Sequence, residues 1–370
     1  MKYLSAYRAL AAALGPRAKE NTVSGVFAKD ERLRRESLAM LRRARVVGAS
    51  LCVFDRDGVA GEMQVGFARG ADPVLPGTNF RTASVSKMVT GAIAAALAAQ
   101  GKLDLDMDAG GLLGIGAPKY PNDRITLRML LSHTSSIRDT SLLERAAEGM
   151  TLSNAAKRVA YTGDRPGERF CYSNEGAALV GALLETVTGK DLDELYHDTF
   201  HLPGTYFPNR LEKDVLADAV KIVPRRKIAY SGAKMQAAKT EAAGADPQRH
   251  WGRAHGSLCL RASDAARIAM AIRTDARFQA MFAPQVPFGS RDPIITEGLS
   301  LFLLSDPFAG VCGHQGLAYG AAHGVFFSRE TGYGFALLTS GCSLARRYVL
   351  TDMNLAAIRL FTEEKGPWKR

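Results

Sequence analysis

The chain has 370 residues, 46% of them hydrophobic and 23% charged, with a formal net charge of +11. This is a globular balance that excludes disordered and fibrous classes. No apolar run reaches the roughly 18 residues of a membrane-spanning helix, and the positive charge, dense only over 32–45 and 225–239, comes without zinc-finger spacing or an aromatic-rich RNA motif, so no nucleic-acid partner is expected.

After Met1-Lys2 an apolar stretch begins, but Arg8 interrupts it, and a signal peptide needs an unbroken apolar region. A cytoplasmic location is therefore expected for the chain as it stands. A leader removed in processing would instead place it in the periplasm or outside the cell. Residues 1–27 otherwise carry little signal. A helix is predicted from Asp30 to Arg45, with Leu33, Leu38, Leu41 and Val46 along its apolar face. Ala49–Phe54 and Val59–Phe67 read as strands joined by a hairpin turn at Asp55-Arg56-Asp57-Gly58.

From Ser84 the pattern turns helical: Ser84–Gln100 with Gly101 as its cap, Thr126–Leu131, Asn174–Thr188 closed by Gly189, and Asp191–Phe200. Residues 206–250 are polar and basic, with no clear periodicity. Ala262–Arg273 is helical again. Three Gly-punctuated strands follow at Val311–Leu317, Ala321–Arg329 and Tyr333–Thr339, then a last helix over Arg346–Phe361. Strands at both ends of the chain bracket a helical middle. The expected architecture is α/β (α+β): an antiparallel sheet of about five strands flanked by helices, with an inserted all-helical domain. Residues 1–83 and 206–370 are expected to build the sheet domain and 84–205 the helical domain. Five widely spaced cysteines without a CxxC pair fit reduced thiols.

Three short motifs carry chemistry. Ser84-Val85-Ser86-Lys87 is an S-x-x-K sequence at a helix start. Residues three apart share a helix face, so the Lys87 amine can lie against the Ser84 hydroxyl and act as its base. Free backbone N–H groups at that helix end favour a developing oxyanion. The chain holds a second match, Ser231-Gly232-Ala233-Lys234, in the basic stretch with a glycine inside it, a poorer seat for a nucleophile. Tyr172-Ser173-Asn174 is the second motif: a tyrosine near a lysine can relay protons, and an asparagine amide can hold a substrate carbonyl. Tyr120-Pro121-Asn122 has the same spacing, but Pro166-Gly167 and the following helix favour Tyr172. The third, His314-Gln315-Gly316, sits where a strand begins; His314 could carry charge and Gly316 would admit a substrate close to the backbone. Each motif alone also fits an ordinary helix cap, a half-buried aromatic or a strand-edge histidine.

In order and spacing, the segments Phe80–Lys87 (FRTASVSK), Ile125–Ser135 (ITLRMLLSHTS), Pro166–Asn174 (PGERFCYSN) and Gly313–Gly316 (GHQG) resemble the serine β-lactamase and D-Ala-D-Ala peptidase superfamily, most closely its class C β-lactamase-like branch. Gly256-Ser257-Leu258 with Ser263-Asp264 resembles a further family segment. The resemblance implies that Ser84 is the acylated nucleophile, Lys87 its base and Tyr172 the proton relay. It also implies that Asn174, His314, Gln315 and Gly316 bind substrate, and that the backbone N–H groups of Ser84 and Leu317 form the oxyanion hole. The expected substrate is a small ester, amide, peptide or β-lactam, and no cofactor or metal is implied. Two departures stand out. Lys-Thr-Gly is usual at the third motif, so here a charge depends on His314 and Gln315 replaces a hydroxyl. Ser136 stands where glycine usually follows His-Thr-Ser. Against a metal hydrolase, His197 and His201 are four apart but lack a following glutamate, and Leu202-Pro203-Gly204 ends the helix. A non-catalytic peptide- or penicillin-binding module on the same fold is the alternative reading.

Overall fold

The computed structural model describes residues 19–212, 215–223, 226–230, 245–289, 292–346 and 349–363. The second S-x-x-K match, Ser231–Lys234, lies outside the described residues, as do residues 1–18.

Ten strands form one antiparallel sheet: β1 (Glu20–Val23), β2 (Gly48–Phe54), β3 (Val59–Arg69), β4 (Asp72–Pro73), β5 (Val286–Pro287), β6 (Ile295–Glu297), β7 (Phe302–Leu304), β8 (Val311–Ala318), β9 (Ala321–Ser328) and β10 (Gly334–Gly341). Their order is β1-β3-β2-β10-β9-β8-β7-β6-β5, with β4 attached to β3. The five strands expected from the sequence are the long central ones. The added members are two to four residues long, too short for a period-2 pattern to show. Chain ends meet at the β2–β10 pairing, where Phe335 lies opposite Val53 and Leu337 opposite Leu51. Every residue of β2, β9 and β10 is buried, because helices cover both faces.

On one face lie α1 (Glu31–Arg43), N-capped by the Asp30 carboxylate, and α7 (Asp352–Phe361), N-capped by Thr351. Phe27, Leu33, Leu41, Phe335, Leu337, Ile358 and Phe361 join in the core between them and the sheet. The other core joins α2 (Val85–Ala99), α4 (Asn174–Thr188), α5 (Leu192–Phe200) and α6 (Ala262–Thr274) to the opposite face. Helix α2 is buried from Val85 to Leu97, as its alanine-rich sequence allows for a helix enclosed on every side. Helix α4 ends at Gly189, whose φ of 67° supplies the left-handed cap. Short α3 (Leu127–Leu131) is capped by Thr126. The last helix is shorter than its periodicity suggested, because residues 349–351 still lie in a loop and bridge. The buried Cys52, Cys259, Cys312 and Cys342 are thiols.

Candidate active site

Ser84 is the first residue of the turn that opens α2. Ala83 before it has φ 49°, an uncommon left-handed conformation for a residue with a Cβ. Ser84 itself is helical and makes no side-chain cap, so its hydroxyl is not spent on the helix end. One turn on, Lys87 is 1% exposed and its Nζ lies 3.0 Å from Ser84 Oγ, 2.9 Å from Asn174 Oδ1 and 2.7 Å from the His255 carbonyl. Burial is the main force on its charge and pushes the amine down to about 7. A neutral amine can donate to Asn174 and His255 and turn its lone pair to the Ser84 hydroxyl.

Tyr172 lies across from Lys87, whose Nζ is 5.2 Å from the ring centroid. Burial raises the phenol well above its ordinary range, partly offset by a hydrogen bond with Ser84, so it holds its proton at neutral pH. The ring rests on His133 at 4.3 Å between centroids, and His133 Nδ1 accepts the Ser173 N–H at 3.2 Å. That acceptor role fixes the neutral tautomer with its proton on Nε2.

Asn174 is fixed from both ends. Its Oδ1 accepts from Lys87, and its Nδ2 donates to Asp139 Oδ2 at 2.7 Å. Asp139 also accepts from Ser173 Oγ and the Glu175 N–H. Asp139 is a functional position that the motif reading missed. The carboxylate sits 35 residues before its amide partner, and only its nearness to the His-Thr-Ser segment could have hinted at it.

The third motif needs correcting at one residue, Gln315. In β8, His314 and Gly316 face Ser84 and Lys87, whereas Gln315 points to the opposite face. There Gln315 donates to the Val349 carbonyl and accepts from the Thr351 N–H and Asn354 Nδ2. The expected substrate contact by its side chain is therefore not present: the period of two in a strand turns it toward α7. His314 is fully buried, stacks on Phe302 at 4.1 Å and donates Nδ1–H to the Gln315 carbonyl at 2.7 Å. Burial, aided by the nearby Lys87, pushes it down to about 3, so it is neutral at pH 7 and offers a substrate no charge. At Gly316 a Cβ would collide with the Thr82 carbonyl and crowd the Ser84 amide, so the glycine admits the chain's own backbone at the start of α2.

Ser84, Asn174 and Leu317 open on a cleft of about 790 Å³. Arg81, Arg253, Glu144, Glu148, Ser257 and Tyr319 also line it. Tyr120, the alternative tyrosine, does not line it. His197 and His201 sit exposed at the end of α5, His201 in a left-handed conformation, and neither lines the cleft.

The long antiparallel sheet, the buried helix carrying Ser84 and Lys87, and the Tyr172-Ser173-Asn174 turn converge on one site. A sequence model of the family described as Beta-lactamase matches residues 31–358, and the chain belongs to that family. Among solved structures, EstCE1, described as a hydrolase with promiscuous acyltransferase activity, superposes with a TM-score of 0.70 at 21% identity, covering 90% of this chain and 98% of its own. A D-amino acid amidase of Ochrobactrum anthropi SV3 superposes at 0.68 with 19% identity, covering 88% of this chain and 96% of its own. At these identities the likeness concerns the fold. A curated relative, described as a probable fimbrial assembly protein FimD of Dichelobacter nodosus, is 33% identical over 140 residues, 36% of each chain. The chain thus aligns with about a third of that relative's length. No helix among the described residues is long and apolar enough to cross a membrane.

Proposed function

We propose that the protein is a serine hydrolase that works through an acyl-enzyme on Ser84 and acts on small esters or amides. The observation that supports this most strongly is the buried Lys87 amine, 3.0 Å from Ser84 Oγ and held near its neutral form. In this reading Lys87 takes the Ser84 proton as Oγ bonds to the substrate carbonyl carbon. The backbone N–H groups of Ser84 and Leu317 receive the oxyanion. The Tyr172 phenol passes a proton to the departing alcohol or amine and is restored from Lys87. Water then attacks the acyl ester by the reverse route and frees Ser84. Asn174 keeps Lys87 in place and retains a second Nδ2–H for a substrate carbonyl. The lining of the cleft by residues within 143–149 and by 174 on one side, and by residues within 249–257 and 317–319 on the other, agrees with a sheet unit (1–83 and 206–370) set against a helical unit (84–205). The hydrolase and amidase descriptions of the structural neighbours agree with acyl transfer.

A β-lactam or D-Ala-D-Ala end carries a carboxylate. With His314 buried and neutral and Gln315 turned away, the third motif supplies neither charge nor hydroxyl to hold it. Losing a charge-assisted hydrogen bond costs about 1.5–3 kcal/mol, roughly ten- to a hundredfold. Nitrophenyl acetate should therefore turn over faster than benzylpenicillin at pH 7 to 8, and a fluorophosphonate should add covalent mass at Ser84. The ester rate should rise with pH through about 7, as Lys87 sheds its proton. Faster penicillin turnover would refute the substrate reading. Tight penicillin binding with no covalent adduct from either reagent would favour the binding-module alternative.

A further inference from the structure

The cleft beside Ser84 carries a cation with no acid to match it. Arg81 is half-buried on the short strand Phe80–Arg81, which pairs with Cys259–Leu260. Its Nε donates to the Gly256 carbonyl at 2.8 Å, and its guanidinium carbon lies 5.4 Å from the centre of the Tyr319 ring. Gly256 and Tyr319 line the cleft with it. Among the described residues no carboxylate lies within ion-pair reach of Arg81, and its Nη groups donate to no protein atom. The other arginines of the cleft are engaged: Arg249 pairs with Asp246 at 3.5 Å, and Arg253 is buried with its guanidinium 5.4 Å from the Phe207 ring. Glu144 and Glu148 line the cleft as exposed residues of the helix Leu142–Ala147 and its cap. A charge drawn out of water without a partner is costly, so a half-buried guanidinium with N–H groups to spare at a cavity suits an anion that arrives there.

Tyr319 is held there against its own backbone preference. Tyr319 and Gly320 make the two-residue turn between β8 and β9, where Ala318 lies opposite Ala321. Both have positive φ, 51° and 93°, as a type I′ turn requires. Asparagine, aspartate or glycine normally fills the first of these places, and a bulky side chain there is strained. The tyrosine stays 44% exposed at the cleft. An aromatic face steadies a guanidinium while leaving its N–H edge free for a carboxylate. Position along β8 shows which part of a substrate the pair meets. His314 comes before Leu317 and Tyr319 after it, so Arg81 and Tyr319 lie beyond the Leu317 N–H from the third motif. In the proposed mechanism the leaving group departs past Tyr172, which rests on His133 and does not line the cleft. The acyl part is left for the end of the cleft with Arg81 and Tyr319. From Leu317 to Tyr319 the strand rises about 7 Å, a span that an adipate chain bridges.

We propose that Arg81, steadied by Tyr319, selects substrates whose acyl part ends in a carboxylate: half-esters or half-amides of a dicarboxylic acid of about adipate length. The inference rests on the serine-hydrolase reading for its chemistry. Arg81 sets specificity and moves no proton. Water cleaves such a half-ester to the dicarboxylate and the alcohol, with the far carboxylate held throughout. A penicillin gains nothing from this grip, because its carboxylate is carried on the departing amine.

The test compares 4-nitrophenyl hydrogen adipate with 4-nitrophenyl hexanoate, which has the same chain length and the same reacting carbonyl. In the wild type kcat/KM should favour the adipate by about tenfold or more, the effect of one charge-assisted pair. In Arg81→Gln that ratio should fall to about one, and taking the ratio cancels any general loss of activity. Tyr319→Asn, which suits the turn better, should unfold at a higher temperature yet show a smaller ratio. Two rates that fall alike in Arg81→Gln, with the ratio kept, would reduce Arg81 to a support for the Gly256 carbonyl and overturn the proposal. A wild-type ratio of one or less would overturn it even if Arg81→Gln does not fold. If neither ester is turned over, fluorophosphonate mass at Ser84 decides the serine-hydrolase reading, and calorimetry decides the grip. The mono-4-nitroanilide of adipic acid should then bind the wild type about tenfold more tightly than hexanoic acid 4-nitroanilide. Equal binding of the two anilides would refute the role of Arg81.

Discussion

The start of α2 and the middle of β8 face each other across one cleft, yet they use their residues in opposite ways. At α2, side chains three apart point together, and Ser84 and Lys87 meet at 3.0 Å. At β8, successive side chains diverge: His314 and Gly316 turn toward α2, and Gln315 turns to α7, where Asn354 Nδ2 reaches it at 2.8 Å. A four-residue S-x-x-K segment on a helix thus brings its first and last side chains together. Three successive residues on a strand divide between the cleft side and the scaffold behind it. In β8 the approach to Ser84 is made by backbone, with no Cβ at Gly316.

Replacing residues on the two sides should separate these roles. Ser84→Ala should reduce ester turnover by at least about a thousandfold, as loss of the nucleophile does in covalent hydrolases. Its cooperative thermal unfolding should stay near wild type. Near-normal rates in Ser84→Ala, with loss in Ser231→Ala, would move the nucleophile to the other S-x-x-K match. A smaller but still large effect is expected for the proton-handling pair. Lys87→Ala and Tyr172→Phe should each lose about a hundredfold or more, and the double variant little beyond the worse single, because groups serving one step are not additive. Losses that add in full on a logarithmic scale would assign them to separate steps. The smallest kinetic effect belongs to Gln315→Ala. It should leave the KM for nitrophenyl acetate within about twofold but lower stability by about 1–3 kcal/mol, because Asn354 and the Thr351 amide lose a buried acceptor. A large rise in KM with unchanged stability would return Gln315 to the substrate side and erase the contrast between helix and strand.

The long elements were legible because their periodicity and caps agree. Asn174–Thr188 with Gly189 and Val59 as a strand start fall where the sequence puts them. Strands of two or three residues, such as β5 to β7, carry no period and appear only as neighbours of β8 in space. The site divides in the same way. Ser84 and Lys87 are legible because one helical turn joins them. Asp139 is not, since it meets Asn174 through tertiary packing alone: it follows the short strand Ile137–Arg138, 35 residues before its partner. An ordinary histidine value already makes His314 largely neutral at pH 7; how far below that value it lies is set by burial, which only the fold shows.

The β2–β10 pairing has a consequence for how the molecule is made. Val53 waits for Phe335, so the middle of the sheet cannot close until Phe335 has left the ribosome. By then α2 with Ser84 and Lys87 has long been synthesised. Such widely separated contacts slow folding, since a long loop must close before its contacts repay the lost entropy. During that interval β2 and β3 form a hairpin with one unpaired apolar edge, the kind of surface that recruits other chains. In the proposed mechanism the interval has a further effect. The oxyanion pocket would need the backbone of β8 beside Ser84, so a nascent chain would carry its serine and lysine without the means to use them. On that reading, strands β8 to β10 act as the activation step of the molecule, built into the order of its synthesis.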